Sequence, residues 1–70
     1  MRVFISTTAK NWVTEHPSEN AAEAVQAVWE TITNRNGVLE AGIVQEDGDT
    51  SEPCLIHFNS EHVLSVHVLA

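Results

Sequence analysis

SENAAEAVQAVWETITNRN, running from Ser18 to Asn36, is the stretch whose reading decides the fold. Ala21, Val25, Val28 and Ile32 recur at spacings of four, three and four residues. Ala24 and Trp29 widen the stripe, and together they make the pattern of one buried helical face. Glu19, Glu23, Gln26, Glu30 and Asn34 fall mostly on the opposite side. Alanine, glutamate and glutamine favour helix in the first half, whereas the β-branched Thr31, Ile32 and Thr33 weaken the second. Two residues offer an N-cap: Ser18, directly after Pro17, or Asn20, which has Glu23 at capping-box spacing. Arg35 lies near the negative end of the helix dipole, and Asn36-Gly37 reads as a left-handed C-cap.

Upstream of the helix, Met1 to Thr7 (MRVFIST) is β-branched and aromatic and predicts a strand. Arg2, Phe4 and Ser6 alternate with Val3, Ile5 and Thr7. Apolar residues therefore occupy both faces, which favours a position inside the sheet over an edge. Trp12-Val13-Thr14 predicts a shorter strand or an extended arm, with Trp12 as a core or lid residue. Pro17 holds His16 out of the helix.

Downstream, the helical period gives way to alternation. Val38 to Gln45 sets Leu39, Ala41 and Ile43 against Val38, Glu40, Gly42 and Val44. A turn on Asp47-Gly48 leads through Pro53 to a strand at Cys54 to Phe58. A tight connection at Asn59-Ser60-Glu61-His62 leads to a last strand at Val63 to Leu69. With Glu46 opposite Asp49, Leu39 meets Ile56 and Ala41 meets Cys54. A second hairpin would set Phe58 opposite Val63, Ile56 opposite Ser65 and Cys54 opposite His67.

Both registers place Leu39, Ala41, Ile43, Cys54, Ile56 and Phe58 on one face, the face expected beneath the helix. The other face would then carry Val38, Val44, Leu55, Leu64, Val66 and Val68. That much apolar area calls for a cover, either the Trp12 arm or a second copy of the chain. The expected architecture is α+β, residues 1–70 as a single compact domain, with one helix packed on a small antiparallel sheet in the order β(β)αβββ.

Seventy residues leave little interior, and one core of this size rarely supplies more than about 3–5 kcal/mol. Hydrophobic residues make up 43% of the chain, too many for a disordered segment. Cys54 is the one cysteine, so no internal disulfide forms. No apolar run approaches the roughly 20 residues of a membrane span, and the N-terminus lacks a signal-peptide layout. The expectation is a soluble cytoplasmic protein.

Ten carboxylates against Arg2, Lys10 and Arg35 give a net charge of −7. That balance disfavours direct nucleic-acid binding and anionic membranes, because both depend on cationic side chains. Protonating all four histidines would bring the charge to −3, so binding to a basic partner should weaken in mild acid.

Chemistry-bearing residues do not assemble into a motif. His57, His62 and His67 lie five apart and match no zinc spacing. Asp47-Gly48-Asp49-Thr50-Ser51-Glu52 is a fragment of a calcium loop at best and reads as a solvated turn. Cys54 with His67 is the one nucleophile and base pair the register permits, and a thiol on a core face is normally inert. The glycines form no phosphate cradle. The expectation is no enzyme, no cofactor and no metal.

What remains is binding. Glu19, Glu23 and Glu30 on the helix, with Glu46, Asp47, Asp49 and Glu52 in the turn, are the residues expected to meet a basic surface of another protein. In size and charge the chain is similar to compact acidic inhibitors that occupy phosphate sites as DNA mimics, among them small phage anti-CRISPR proteins. The plainer account of the same residues is a solvated surface that keeps a small protein soluble. The alternative function is a structural or regulatory homodimer, formed through the apolar second face or the last strand.

Overall fold

The structure is a computed structural model, and it describes residues 1–34 and 36–69. Its elements are strand β1 (Arg2–Thr7), strand β2 (Asn11–Glu15), helix α1 (Ala21–Thr33), strand β3 (Val38–Ile43), strand β4 (Cys54–His57), a short 3-10 turn (Ser60–His62) and strand β5 (Val63–His67). All neighbouring strands run antiparallel, in the order β4-β3-β2-β1-β5, and α1 covers one face. The α+β class is as expected, and the sheet order differs from the expected meander.

Helix α1 starts where its cap is strongest. The Asn20 side chain accepts a hydrogen bond from the Glu23 N–H at 3.1 Å, satisfying one of the free donors of the first turn. Ser18 instead braces the approach, its hydroxyl accepting from the Asn20 N–H at 3.1 Å. The helix ends at Thr33, with Asn34 extended and its N–H bonded to the Glu30 carbonyl. Thr31 and Thr33 turn their hydroxyls back onto the Ala27 and Trp29 carbonyls, the competition that weakens β-branched helix ends.

Gly37 does take a left-handed φ of 53°, but three residues beyond Asn34, so it does not cap the helix. It turns the chain into β3, where its carbonyl accepts from the Phe58 N–H. The expected place of Arg35 at the helix end falls on a residue outside those described.

The buried stripe of α1 is Ala24, Val28 and Ile32, with Val25 only half-buried. Trp29 was expected in that stripe and is 42% exposed, and Ala21 is exposed as well. The stripe packs on Val3, Ile5, Ala41 and Phe58, flanked by Trp12, Leu39, Ile56, Val63, Val66 and Val68. Burying each large aliphatic side chain there contributes about 1.5–3 kcal/mol before entropy is subtracted.

Strand β2 is the middle strand and not a loose arm. Trp12 pairs with Ile5 on one side and Ile43 on the other. Its ring meets Phe58 edge-on, with centroids 5.7 Å apart, so it closes the core. Strand β1 has a partner on each side, the interior position expected of it.

The β3–β4 hairpin has the expected register, Leu39 with Ile56 and Ala41 with Cys54. Its tip does not. Gln45, not Glu46, faces Asp49, and Gly48 closes a three-residue loop with φ 89°. The one-residue difference is taken up at Glu52-Pro53, between the Val44–Thr50 bridge and β4.

The second expected hairpin is absent. Strand β5 pairs with β1 (Phe4 with His67, Ile5 with Val66, Ser6 with Ser65), which sends it to the edge opposite β4. Asn59 explains the turn: its side chain accepts from the Glu61 N–H at 3.0 Å and caps a 3-10 turn that leads away from β4. Pairing with β1 also puts Val66 and Val68 against the core under α1. The open face is correspondingly less apolar than expected and needs no cover of the size the sequence suggested.

Candidate protein-binding surface

All ten carboxylates are exposed. Among the described residues the ion pairs are confined to Glu15, which lies 3.4 Å from Arg2 Nε and 3.6 Å from the N-terminal ammonium. Among the described residues the acidic surface is thus largely unneutralised.

The expected residues fall into two groups. Glu23 and Glu30 stand on α1, where Gln26 Nε2 donates to Glu30 Oε1 at 3.2 Å, and Glu19 precedes the Asn20 cap. Glu46, Asp47, Asp49 and Glu52 belong to the loop joining β3 to β4. Asp47 has a local duty as well, its Oδ1 accepting from the Asp49 N–H at 3.1 Å to shape the turn.

The two groups belong to different sides of the sheet. Ala41 faces the helix, so Gly42 faces away from it, and the loop returns over that far face at Ser51. A Cβ on Gly42 would sit 2.5 Å from the Ser51 carbonyl oxygen, so only glycine allows the loop this approach. Ser51 is pinned there twice. Its N–H donates to the Ile43 carbonyl at 2.9 Å, and its hydroxyl accepts from the Ile43 N–H at 2.7 Å.

Beneath that loop lies a cleft of about 430 Å³, lined among others by Arg2, Val13, Glu15, Glu40 and Ser51. It opens where the β2–β3 ladder stops after Val13 and Gly42 and the Thr14 hydroxyl donates to the Glu40 carbonyl at 2.7 Å instead. Glu15 and Glu40 thereby extend the acidic loop onto the sheet. Neither was among the expected contact residues, although alternation along β3 already sets Glu40 opposite Leu39 and Ala41. The early end of the β2–β3 ladder, which leaves Glu15 at the cleft beside Arg2, has no signature in the sequence.

The catalytic pairing considered for Cys54 is ruled out by topology. Cys54 and His67 lie on strands at opposite edges of the sheet, and Cys54 is exposed instead of buried in the core. Its neighbour there is the Ala41 carbonyl, 3.9 Å from Sγ. His57 and His62 line a second cleft of about 360 Å³ with Trp12, Ile56 and Phe58, while His67 stacks on Phe4 on the open face. Among the described residues no three histidines, cysteines or carboxylates converge as a metal site. No described helix is long and apolar enough to cross a membrane.

Compared with known proteins, the chain matches no family model, no curated protein and no solved structure.

Proposed function

We propose that the chain acts in the cytoplasm as a small non-enzymatic binding protein whose carboxylates cover a basic, nucleic-acid-binding surface of another protein. The supporting observation is the exposure of every carboxylate, with ion pairing among the described residues limited to Glu15. A partner that binds phosphates offers the guanidinium and ammonium groups such a surface pairs with. The loop group, Glu46, Asp47, Asp49 and Glu52, extended by Glu40, forms one contact face, and Glu19, Glu23 and Glu30 form another. One flat partner surface engages one of the two. The free thiol of Cys54 suits a reducing compartment.

The test is affinity capture from native host extract at increasing salt, followed by challenge of the captured protein with duplex DNA or RNA. The reading expects a basic protein that is released both by salt and by the competing polyanion. Retention through high salt and through the polyanion challenge would count against it.

A further inference from the structure

The two edges of the sheet are built differently. Strand β4 spans four residues and is preceded directly by Glu52 and Pro53, a charge and an imino acid of the kind that blunts an edge. Strand β5 has no such device. From Val63 to Leu69 the chain carries no Asp, Glu, Lys, Arg or Pro, and its Leu64 and Leu69 are 70% and 67% exposed. The one irregularity is a bulge at its start, where Thr7 meets Val63 and leaves Leu64 over.

The direction of the free backbone groups follows from the hydrogen bonds of β1. The Thr7 N–H bonds the Lys10 carbonyl and the His16 N–H bonds the Met1 carbonyl, so odd-numbered residues of β1 turn their amides towards β2. Even-numbered residues turn theirs towards β5. Ser65 and His67, opposite Ser6 and Phe4, therefore spend their N–H and C=O groups on β1. Val66, between them, presents both groups outward, and Val68 follows by alternation.

We propose that this edge pairs with the same edge of a second copy: β5 lies antiparallel to β5 about a two-fold axis through Val66, joining two five-stranded sheets into one. In that register Val66 of one copy exchanges both backbone hydrogen bonds with Val66 of the other, and Ser65 lies beside His67. Charge selects the occupant. Two chains of net charge −7 repel wherever carboxylates meet, and the β5 edge brings seven uncharged residues together on each side. A partner attracted by charge finds no carboxylate on this strand to bind. The contact is small, below the roughly 1,200 Å² typical of stable complexes, so association is weak and concentration-dependent. The acidic-surface reading is independent of it, since the carboxylates stay outside the contact.

Two measurements on the full chain test the pairing. Sedimentation velocity from low micromolar to near-millimolar protein should show monomer passing to dimer. Amide exchange over the same range should show Val66 and Val68 gaining roughly tenfold or greater protection, while Ser65 and His67 are protected throughout. Val66→Pro removes the outward N–H together with a valine side chain that packs against the core, and should abolish both the dimer and the concentration-dependent protection of Val68. Should that variant fail to fold, Ser65→Lys with His67→Lys sets lysines against one another across the axis and should likewise give monomer. A chain that is monomeric at every concentration overturns the proposal, as does a dimer in which Val66 and Val68 exchange freely.

Discussion

Gly42→Ala puts the strongest local demand on the structure. The added Cβ would stand 2.5 Å from the Ser51 carbonyl oxygen, and a backbone atom cannot rotate aside, so the β3–β4 loop must lift. Lifting breaks the two bonds between Ser51 and Ile43, each worth about 0.5–1.5 kcal/mol. Alanine returns part of this, about 0.5–1 kcal/mol, through its smaller loss of backbone entropy in a strand. The net cost is centred on about 1 kcal/mol, which for a domain of this size lowers Tm by roughly 4–8 °C. Thermal denaturation followed by far-UV circular dichroism reads the shift, and amide exchange at Ile43 and Ser51 should accelerate. An unchanged or raised Tm with Ser51 still protected would refute the placement of the loop over Gly42.

Other outcomes follow from the core. Val28→Asp sets an unpaired carboxylate among Val3, Ile5 and Phe58, and its burial cost of several kcal/mol exceeds the roughly 3–5 kcal/mol that one small core supplies. The variant should lose its cooperative melt, and a native spectrum would overturn the helix-on-sheet packing. The two tryptophans should behave oppositely. Trp12→Ala opens the core beside Phe58 and should cost about 3 kcal/mol, whereas Trp29→Ala on the exposed flank of α1 should cost less than about 1 kcal/mol in chemical denaturation.

What the sequence revealed depended on how local the deciding interactions are. The β3–β4 register was readable because Leu39, Ala41, Cys54 and Ile56 agree on one face, although the turn at Asp47-Gly48 is one residue longer than expected and the difference is absorbed at Glu52-Pro53. The partner of β5 was not. A β4–β5 hairpin and a β1–β5 ladder both satisfy the alternation of Val63 to Leu69, and the Asn59 cap that separates them resembles any short polar turn. Val3 and Ile5 on one face of β1 and Phe4 on the other favour an interior place for β1, and β5 fills its side away from β2. Trp29 lies outside the buried stripe because periodicity gives a stripe's direction and not its width, and the sheet accepts only the narrow line of Ala24, Val28 and Ile32. The acidic residues were legible since carboxylates without partners stay in water. Their division between two sides of the sheet arises from the close approach of Ser51 to Gly42, a long-range contact with no sequence pattern.

The most direct measurement of the central claim is the affinity of the captured basic protein for the native chain and for a variant neutralised in the loop by Glu46→Gln, Asp47→Asn, Asp49→Asn and Glu52→Gln, alongside one neutralised by Glu19→Gln, Glu23→Gln and Glu30→Gln. Each exposed charge pair is worth about 0.2–1 kcal/mol, so neutralising the engaged group should weaken binding by about 1–4 kcal/mol and flatten its salt dependence. The other variant should bind nearly as the native chain does. Equal affinity of all three forms, with unchanged salt dependence, would contradict the account.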